Sequence, residues 1–217
     1  YFQKSGIDTS NWSFFPNGVD KEFLDFPAVS GNNKKKIKTI LYAGNIGGGQ
    51  GLEKVIPAAA RLLGRDYRFV VVGDGSTVSL LREAIRRENV SNVELLKPVG
   101  RSELIKYYYE ADILFVHLNN LPAFRRVLPS KIFEYAALGR PIVAGLDGYS
   151  AQFLRDHIPY AWLFNPGDSE GAVSCFQGAA ISTTPSDVIS NFVKLYSREA
   201  IMEHMANHLI DTIESKQ

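Results

Sequence analysis

The sequence predicts an α/β fold: a Rossmann-like, doubly wound parallel sheet of about six strands, with helices gathered at its C-terminal end. Three observations predict it. Short apolar runs rich in Val, Ile, Leu and Phe recur along the chain, amphipathic stretches separate them, and glycine- or asparagine-rich loops follow several of the runs. A strand covered on both faces has no polar side to show, so it reads as a continuous apolar segment rather than an alternating one. Such segments spaced by helical patterns indicate βαβ units.

The strand candidates are residues 37–43, 67–72, 93–96, 113–117, 141–144 and 161–164. Helical patterns fall at 52–63, 78–88, 101–110, 130–138 and 150–156. From Glu170 onward the chain reads as helical, with a terminal helix over 200–213. Residues 1–19 contain no strand–helix unit and read as a connector, which leaves 20–217 as the domain.

Composition excludes several function classes. Of 217 residues, 45% are hydrophobic and 22% charged, an ordinary globular balance, and a net charge of +1 gives no field suited to nucleic acid. The run Lys34-Lys35-Lys36 follows Gly31-Asn32-Asn33 and reads as a solvated turn. The single cysteine, Cys175, excludes an intramolecular disulfide framework and a cysteine-rich metal site, and fits a reducing cytoplasmic setting. With Val173 and Phe176 beside it, Cys175 reads as a structural thiol. No apolar run approaches the ~18 residues of a membrane span, so membrane contact is expected to be peripheral. Tyr1-Phe2-Gln3 is either a tag remnant or natural sequence.

In a doubly wound sheet the ligand crevice lies beyond the carboxyl ends of the strands, so the loops that follow strands are the candidates for function. Gly44-Asn45-Ile46-Gly47-Gly48-Gly49-Gln50-Gly51 follows the first strand, and Gly73-Asp74-Gly75-Ser76 the second. Glycine between strand and helix lets backbone amides approach a phosphate; a purely structural turn is the alternative. A Walker loop fails on spacing, because Gly51 is followed by Leu52-Glu53-Lys54. A dinucleotide fingerprint fails too: Gly47-x-Gly49 leads to Leu52, and Gly49-x-Gly51 leads to Lys54. After the fourth strand a long loop, 118–128, ends in Pro129-Ser130 at a helix start. Helical spacing lets Ser130, Lys131 and Glu134 share one face, combining a hydroxyl, an ammonium and a carboxylate able to accept both hydroxyls of a ribose. The alternative is a capped helix with a solvated glutamate.

Other polar residues read as structural. His204 and His208 are four apart on the terminal helix, but Glu203 precedes His204 and no third ligand is evident, so they read as a solvated face. His117 ends the fourth strand, and a loop-structuring role is favoured over donor contact. Tyr107-Tyr108-Tyr109 reads as packing of a helix against the sheet, and Asp112 as a strand start.

Four segments carry a family resemblance. Pro16-Asn17-Gly18-Val19-Asp20 resembles the linker that opens the C-terminal domain of family-four GT-B glycosyltransferases. Residues 40–47 with Gln50-Gly51-Leu52-Glu53 resemble that domain's first strand and phosphate loop, and residues 69–75 its second strand. The block from Pro129 to Ala144, containing Ser130-Lys131-Ile132-Phe133-Glu134, is similar to the family's signature helix and next strand. Its Pro-Ser-Lys variant resembles a branch that includes transferases of amino-deoxy sugars of the fucosamine type.

The resemblance implies a retaining transferase. A nucleotide-diphosphate sugar would serve as donor and an acceptor hydroxyl as recipient, in bacterial surface polysaccharide synthesis, with no cofactor and no metal. Glu134 would hold the ribose as the second glutamate of the family's E-x7-E motif, whereas the first falls at Arg126. Asn45, Gly47, Gly48, Gln50 and Gly51 would line the diphosphate, with Asn45 and Gln50 standing where the family carries an Arg and a Lys. The missing charge is expected to be relocated to Lys131, assisted by Arg125 or Arg126. The base would lie against the loop 96–99, at Lys97 and Val99. An N-terminal domain would hold a lipid-linked or saccharide acceptor and make any contact with the inner face of the membrane, so the 217-residue chain is expected to bind donor without turning over alone. A sugar-nucleotide epimerase and a non-catalytic nucleotide-sugar-binding module are the alternatives.

Overall fold

A computed structural model describes residues 6, 8–9, 12–24, 37–182 and 184–214. The readings made of Tyr1-Phe2-Gln3 and of Lys34-Lys35-Lys36 lie outside these residues. Six strands form one parallel sheet: β1 (Lys38–Asn45), β2 (Tyr67–Asp74), β3 (Val93–Leu96), β4 (Ile113–His117), β5 (Ile142–Gly145) and β6 (Ala161–Phe164). Their spatial order is β3-β2-β1-β4-β5-β6. The direction of winding therefore reverses between β1 and β4, which is where a doubly wound sheet opens a ligand crevice.

Helices cover both faces: α1 (Ile56–Leu63), α2 (Val78–Arg87), α3 (Arg101–Glu110), α4 (Lys131–Leu138), α5 (Tyr149–His157) and α6 (Ser169–Ala179), while α7 (Ser186–Tyr196) packs on α4 and α8 (Arg198–Glu214) on α7. The pleat divides β1 between two cores. Ile40 and Tyr42 pack with Leu52, Ile56, Leu81 and Phe176 under α1, α2 and α6. Leu41 and Ala43 pack with Tyr108, Phe133, Tyr135 and Phe153 under α3, α4 and α5. Successive residues of a strand face opposite sides, so a sheet buried on both needs apolar side chains at every position.

Several boundaries differ from the sequence reading. β1 and β2 run on to Asn45 and Asp74, pairing in register from Lys38↔Tyr67 to Asn45↔Asp74. Glycine and polar residues at these ends disguise continued backbone pairing. The expected helix over 52–63 is a 3-10 turn, Leu52–Lys54, followed by α1. Pro57 has no N–H to donate, so an α-helix starts beside it instead of running through it.

The segment before β1 docks on the domain. Val19 bridges to Ser197, its N–H donating to the Tyr196 carbonyl, and both Val19 and Phe23 are buried. Asp20 pairs with Arg101 at the start of α3 and with Arg198 at the start of α8. Arg101 also pairs with Glu22 at 2.6 Å and lies over the Phe23 ring, 5.1 Å from its centroid.

Gly73 shows how tightly the ends of β1 and β2 meet. A Cβ built there overlaps the carbonyl oxygen of Gly44, a main-chain atom fixed by the ladder. Gly73→Ala is expected to lower stability by about 1–3 kcal/mol, read as a lower urea midpoint at unchanged slope.

Candidate functional site

The site assembles at the reversal between β1 and β4. The loop after β1 is shaped by its own side chains: Gln50 Oε1 accepts from the Gly47 N–H at 3.2 Å and from Asn45 Nδ2 at 3.0 Å. The Gln50 and Gly51 N–H groups donate to the Gly47 carbonyl. Among the described residues no hydrogen bond engages the Gly48 or Gly49 N–H. From the β4 side, Asn119 N–H donates to the Gly49 carbonyl at 2.7 Å and Asn119 Nδ2 to the Gly48 carbonyl at 3.1 Å. Lys54 Nζ donates in turn to Asn119 Oδ1 at 2.9 Å. The two loops are laced into one wall.

α4 begins against this wall. The Lys131 amine reaches the end of β1, so that a Cβ on Gly44 would lie 2.9 Å from Nζ. Glycine at position 44 leaves room for the ammonium. Burial lowers the Lys131 pKa, and the Glu134 carboxylate opposes that shift. Glu134, one turn on, is half-buried and accepts from the Tyr108 hydroxyl at 3.3 Å. Burial raises its pKa, against the pull of Lys131, the Tyr108 hydrogen bond and Arg101. An ammonium and a carboxylate, both partly stripped of water, thus lie beside a glycine-rich loop that retains open amides. Partial desolvation strengthens their interaction with an incoming ligand.

The expected site residues fare differently. Gly47, Gly48, Gln50 and Gly51 form one turn after β1, and Lys131, with Glu134 beside it on α4, reaches Gly44 where that turn begins. Asn45 and Gln50 turn their side chains to each other, so they hold the loop's shape. Ser130 is exposed and makes no side-chain cap to α4. Lys97 is exposed and Val99 packs against the α3–α4 core, on the loop that leads from β3 to α3. Arg126 is exposed on a 3-10 turn, Pro122–Arg126, in the loop after β4. Arg125, expected to assist Lys131 as an alternative to Arg126, pairs its guanidinium with Asp147 at 3.1 Å, both side chains largely exposed.

Residues read as structural also shift. Tyr108 packs its helix against the sheet as expected, yet its hydroxyl reaches Glu134. Asp112 accepts from the Thr39 N–H at 2.8 Å, tying β4's start to β1. The terminal histidines are not a purely solvated face. His204 and His208 lie against Phe15, at 5.5 and 5.9 Å between centroids, and His208 Nε2 is 2.7 Å from Ser13 Oγ. Among the described residues no group of three His, Cys, Asp or Glu side chains is placed to hold a metal ion. Among the described residues no helix is long and apolar enough to cross a membrane.

Residues 37–178, which contain the whole sheet and the site, match the family described as Glycosyl transferases group 1. The chain belongs to this family. Among its relatives, the chain is 30% identical over 224 residues to the protein described as colanic acid biosynthesis glycosyl transferase WcaI of Escherichia coli strain K12, covering 95% of this chain and 53% of that protein. It is 25% identical to the 2-deoxystreptamine N-acetyl-D-glucosaminyltransferase of Niallia circulans, over 80% of this chain and 43% of that one. The chain thus spans about half the length of these curated relatives. Its fold matches Anabaena HepE, solved with UDP-glucose, at a TM-score of 0.76 and 19% identity, over 97% of this chain and 60% of HepE. The lipopolysaccharide outer core galactosyltransferase WaaB matches at 0.72 and 15% identity, over 97% and 58% of the two chains. The GT-B Rossmann-like architecture is therefore shared with these enzymes.

Proposed function

We propose that this domain binds the donor of a retaining glycosyl transfer, a nucleotide-diphosphate sugar whose glycosyl group passes to an acceptor hydroxyl in surface polysaccharide synthesis. The observation that carries this reading is the placement of Lys131 and Glu134 on one helix, beneath a glycine-rich loop at the sheet's reversal point. Glu134, ionised, accepts both ribose hydroxyls. The Lys131 ammonium and the Gly48 and Gly49 amides meet the diphosphate, so that charge developing on the leaving group is stabilised where it forms. The nucleobase lies along the exposed loop at Lys97 and Val99, beyond β3. In this reading the diphosphate needs no resident metal. A further domain holds the saccharide or lipid-linked acceptor, and transfer takes place on the cytoplasmic side. WcaI's description as a colanic acid biosynthesis enzyme supports the polysaccharide role, and the ligand of HepE supports a nucleotide-sugar donor. A fucosamine-type donor sugar rests only on the Pro129-Ser130-Lys131 block.

A thermal-shift panel of uridine, thymidine, guanosine and adenosine diphosphates tests the reading. Ligand at 100 times its dissociation constant stabilises the folded state by about 2.7 kcal/mol, which for a domain of this size raises Tm by roughly 5–10 °C. At least one of the four is expected to do so. No response to any of them overturns the proposal.

A further inference from the structure

His117 ends β4 with only 1% of its surface exposed. Its ring clusters with those of Phe115 and Phe164, with centroids 6.1 and 5.9 Å away, and a Cβ on Gly145 of the neighbouring strand overlaps the ring edge. Both nitrogens are engaged. The Gly167 N–H points at Nε2 from 2.9 Å, and Nδ1 lies 2.5 Å from the Gln50 carbonyl oxygen. A backbone N–H only donates, so Nε2 accepts; a carbonyl only accepts, so Nδ1 carries the proton. One neutral tautomer satisfies both partners. The ring thereby joins the end of the β1 loop to the loop that opens α6. The main chain of Gln50 is held by His117 while its side chain holds Gly47 and Asn45.

We propose that His117 is a positioning residue, a clamp that sets the phosphate-binding shape of the loop 44–51 by fixing Gln50 against Gly167. The proposal rests on the nucleotide-sugar reading above. Protonation is the event the clamp does not tolerate, since it turns Nε2 into a donor facing the donor N–H of Gly167. Burial lowers the His117 pKa; the Gln50 carbonyl opposes this, and Lys54 adds to the lowering. The charged groups on the elements packed around the ring are Glu53 and Lys54 beyond the β1 loop, Asp147 beyond β5, and Asp168 and Glu170 at the start of α6. Lys54 is bonded to Asn119, Asp147 pairs with Arg125, and Asp168 accepts from the Gly171 N–H. With a lowered folded-state pKa, the clamp is complete above the ordinary histidine value and is lost as pH falls below it.

Hydrogen exchange on ligand-free protein, corrected for intrinsic pH dependence, reads the clamp directly. Between about pH 7.5 and pH 5, segments 46–51 and 165–168 are expected to lose protection together, by about tenfold, while the strands keep theirs. In His117→Asn, whose amide keeps a donor near Nδ1 but neither titrates nor reaches Gly167, residues 165–168 exchange fast at both pH values and the step disappears. The affinity for UDP-glucose, whose diphosphate diester does not titrate in this range, is expected to fall about tenfold more in the unmodified protein than in the variant over the same interval, the variant keeping only the step that Glu134 contributes. Unchanged protection in the unmodified protein, or an equal fall of affinity in the variant, overturns the clamp alone. If UDP-glucose and the diphosphates all fail to bind at pH 7.5, the nucleotide-sugar reading falls and the proposal falls with it.

Discussion

Glu134→Ala is expected to weaken nucleotide-sugar binding by two orders of magnitude or more, with no loss of thermal stability. A carboxylate accepting two ribose hydroxyls makes two charge-assisted hydrogen bonds, at ~1.5–3 kcal/mol each, and ~2.7 kcal/mol is a hundredfold in affinity. Stability is spared because burial raises the carboxyl's pKa, so its ionised form is disfavoured by folding at neutral pH and truncation removes that cost. Titration calorimetry with a ribonucleotide sugar and its 2′-deoxy analogue separates the effects. The deoxy analogue has already lost one bond, so the substitution is expected to weaken its binding less. Equal losses for the two ligands count against ribose recognition by Glu134. Binding to the unmodified protein is also expected to weaken as pH falls through a value above the ordinary carboxylate range, and Glu134→Gln to abolish that step.

Lys131→Met is expected to separate binding from stability. The diphosphate loses a half-buried cationic partner and its dissociation constant rises roughly 10- to 100-fold, while the affinity for the bare nucleoside stays unchanged. Thermal stability at neutral pH is expected to hold or rise. Burial lowers the lysine's pKa, so the folded state binds its proton less readily than the unfolded chain, and stability increases with pH as that proton leaves. Methionine keeps the apolar stem and removes the charge responsible. A diphosphate constant equal to that of the unmodified protein would overturn the idea that charge has moved to Lys131 from the positions of Asn45 and Gln50.

Both substitutions bear on residues that spacing alone singles out. Ser130, Lys131 and Glu134 are neighbours along one helix, and a helix fixes the relation of residues three and four apart. Spacing did not reveal that Ser130 stays exposed without capping while the Lys131 amine runs back to Gly44. Tyr108 is the instructive omission. Within its own helix it has the pattern of a core residue, and only the packing of α3 beside α4 brings its hydroxyl to Glu134. Arg101 likewise finds its partners, Asp20 and Glu22, in the segment before β1 and not in its own helix. Arg125 meets a partner that its own segment does not show, Asp147, 22 positions away along the chain.

The sequence by itself determined the strands, the parallel sheet and the loops that carry the site, because burial on both faces demands unbroken apolar runs and a doubly wound sheet places its ligand beyond the strand ends. Tertiary structure decided which polar groups remain available. Asn45 and Gln50 satisfy each other, and His117 satisfies two loops separated by more than a hundred residues. The physical reason is that backbone periodicity is written into neighbouring residues, whereas hydrogen-bond satisfaction in a buried site is settled among groups from different loops that meet only once the sheet has formed.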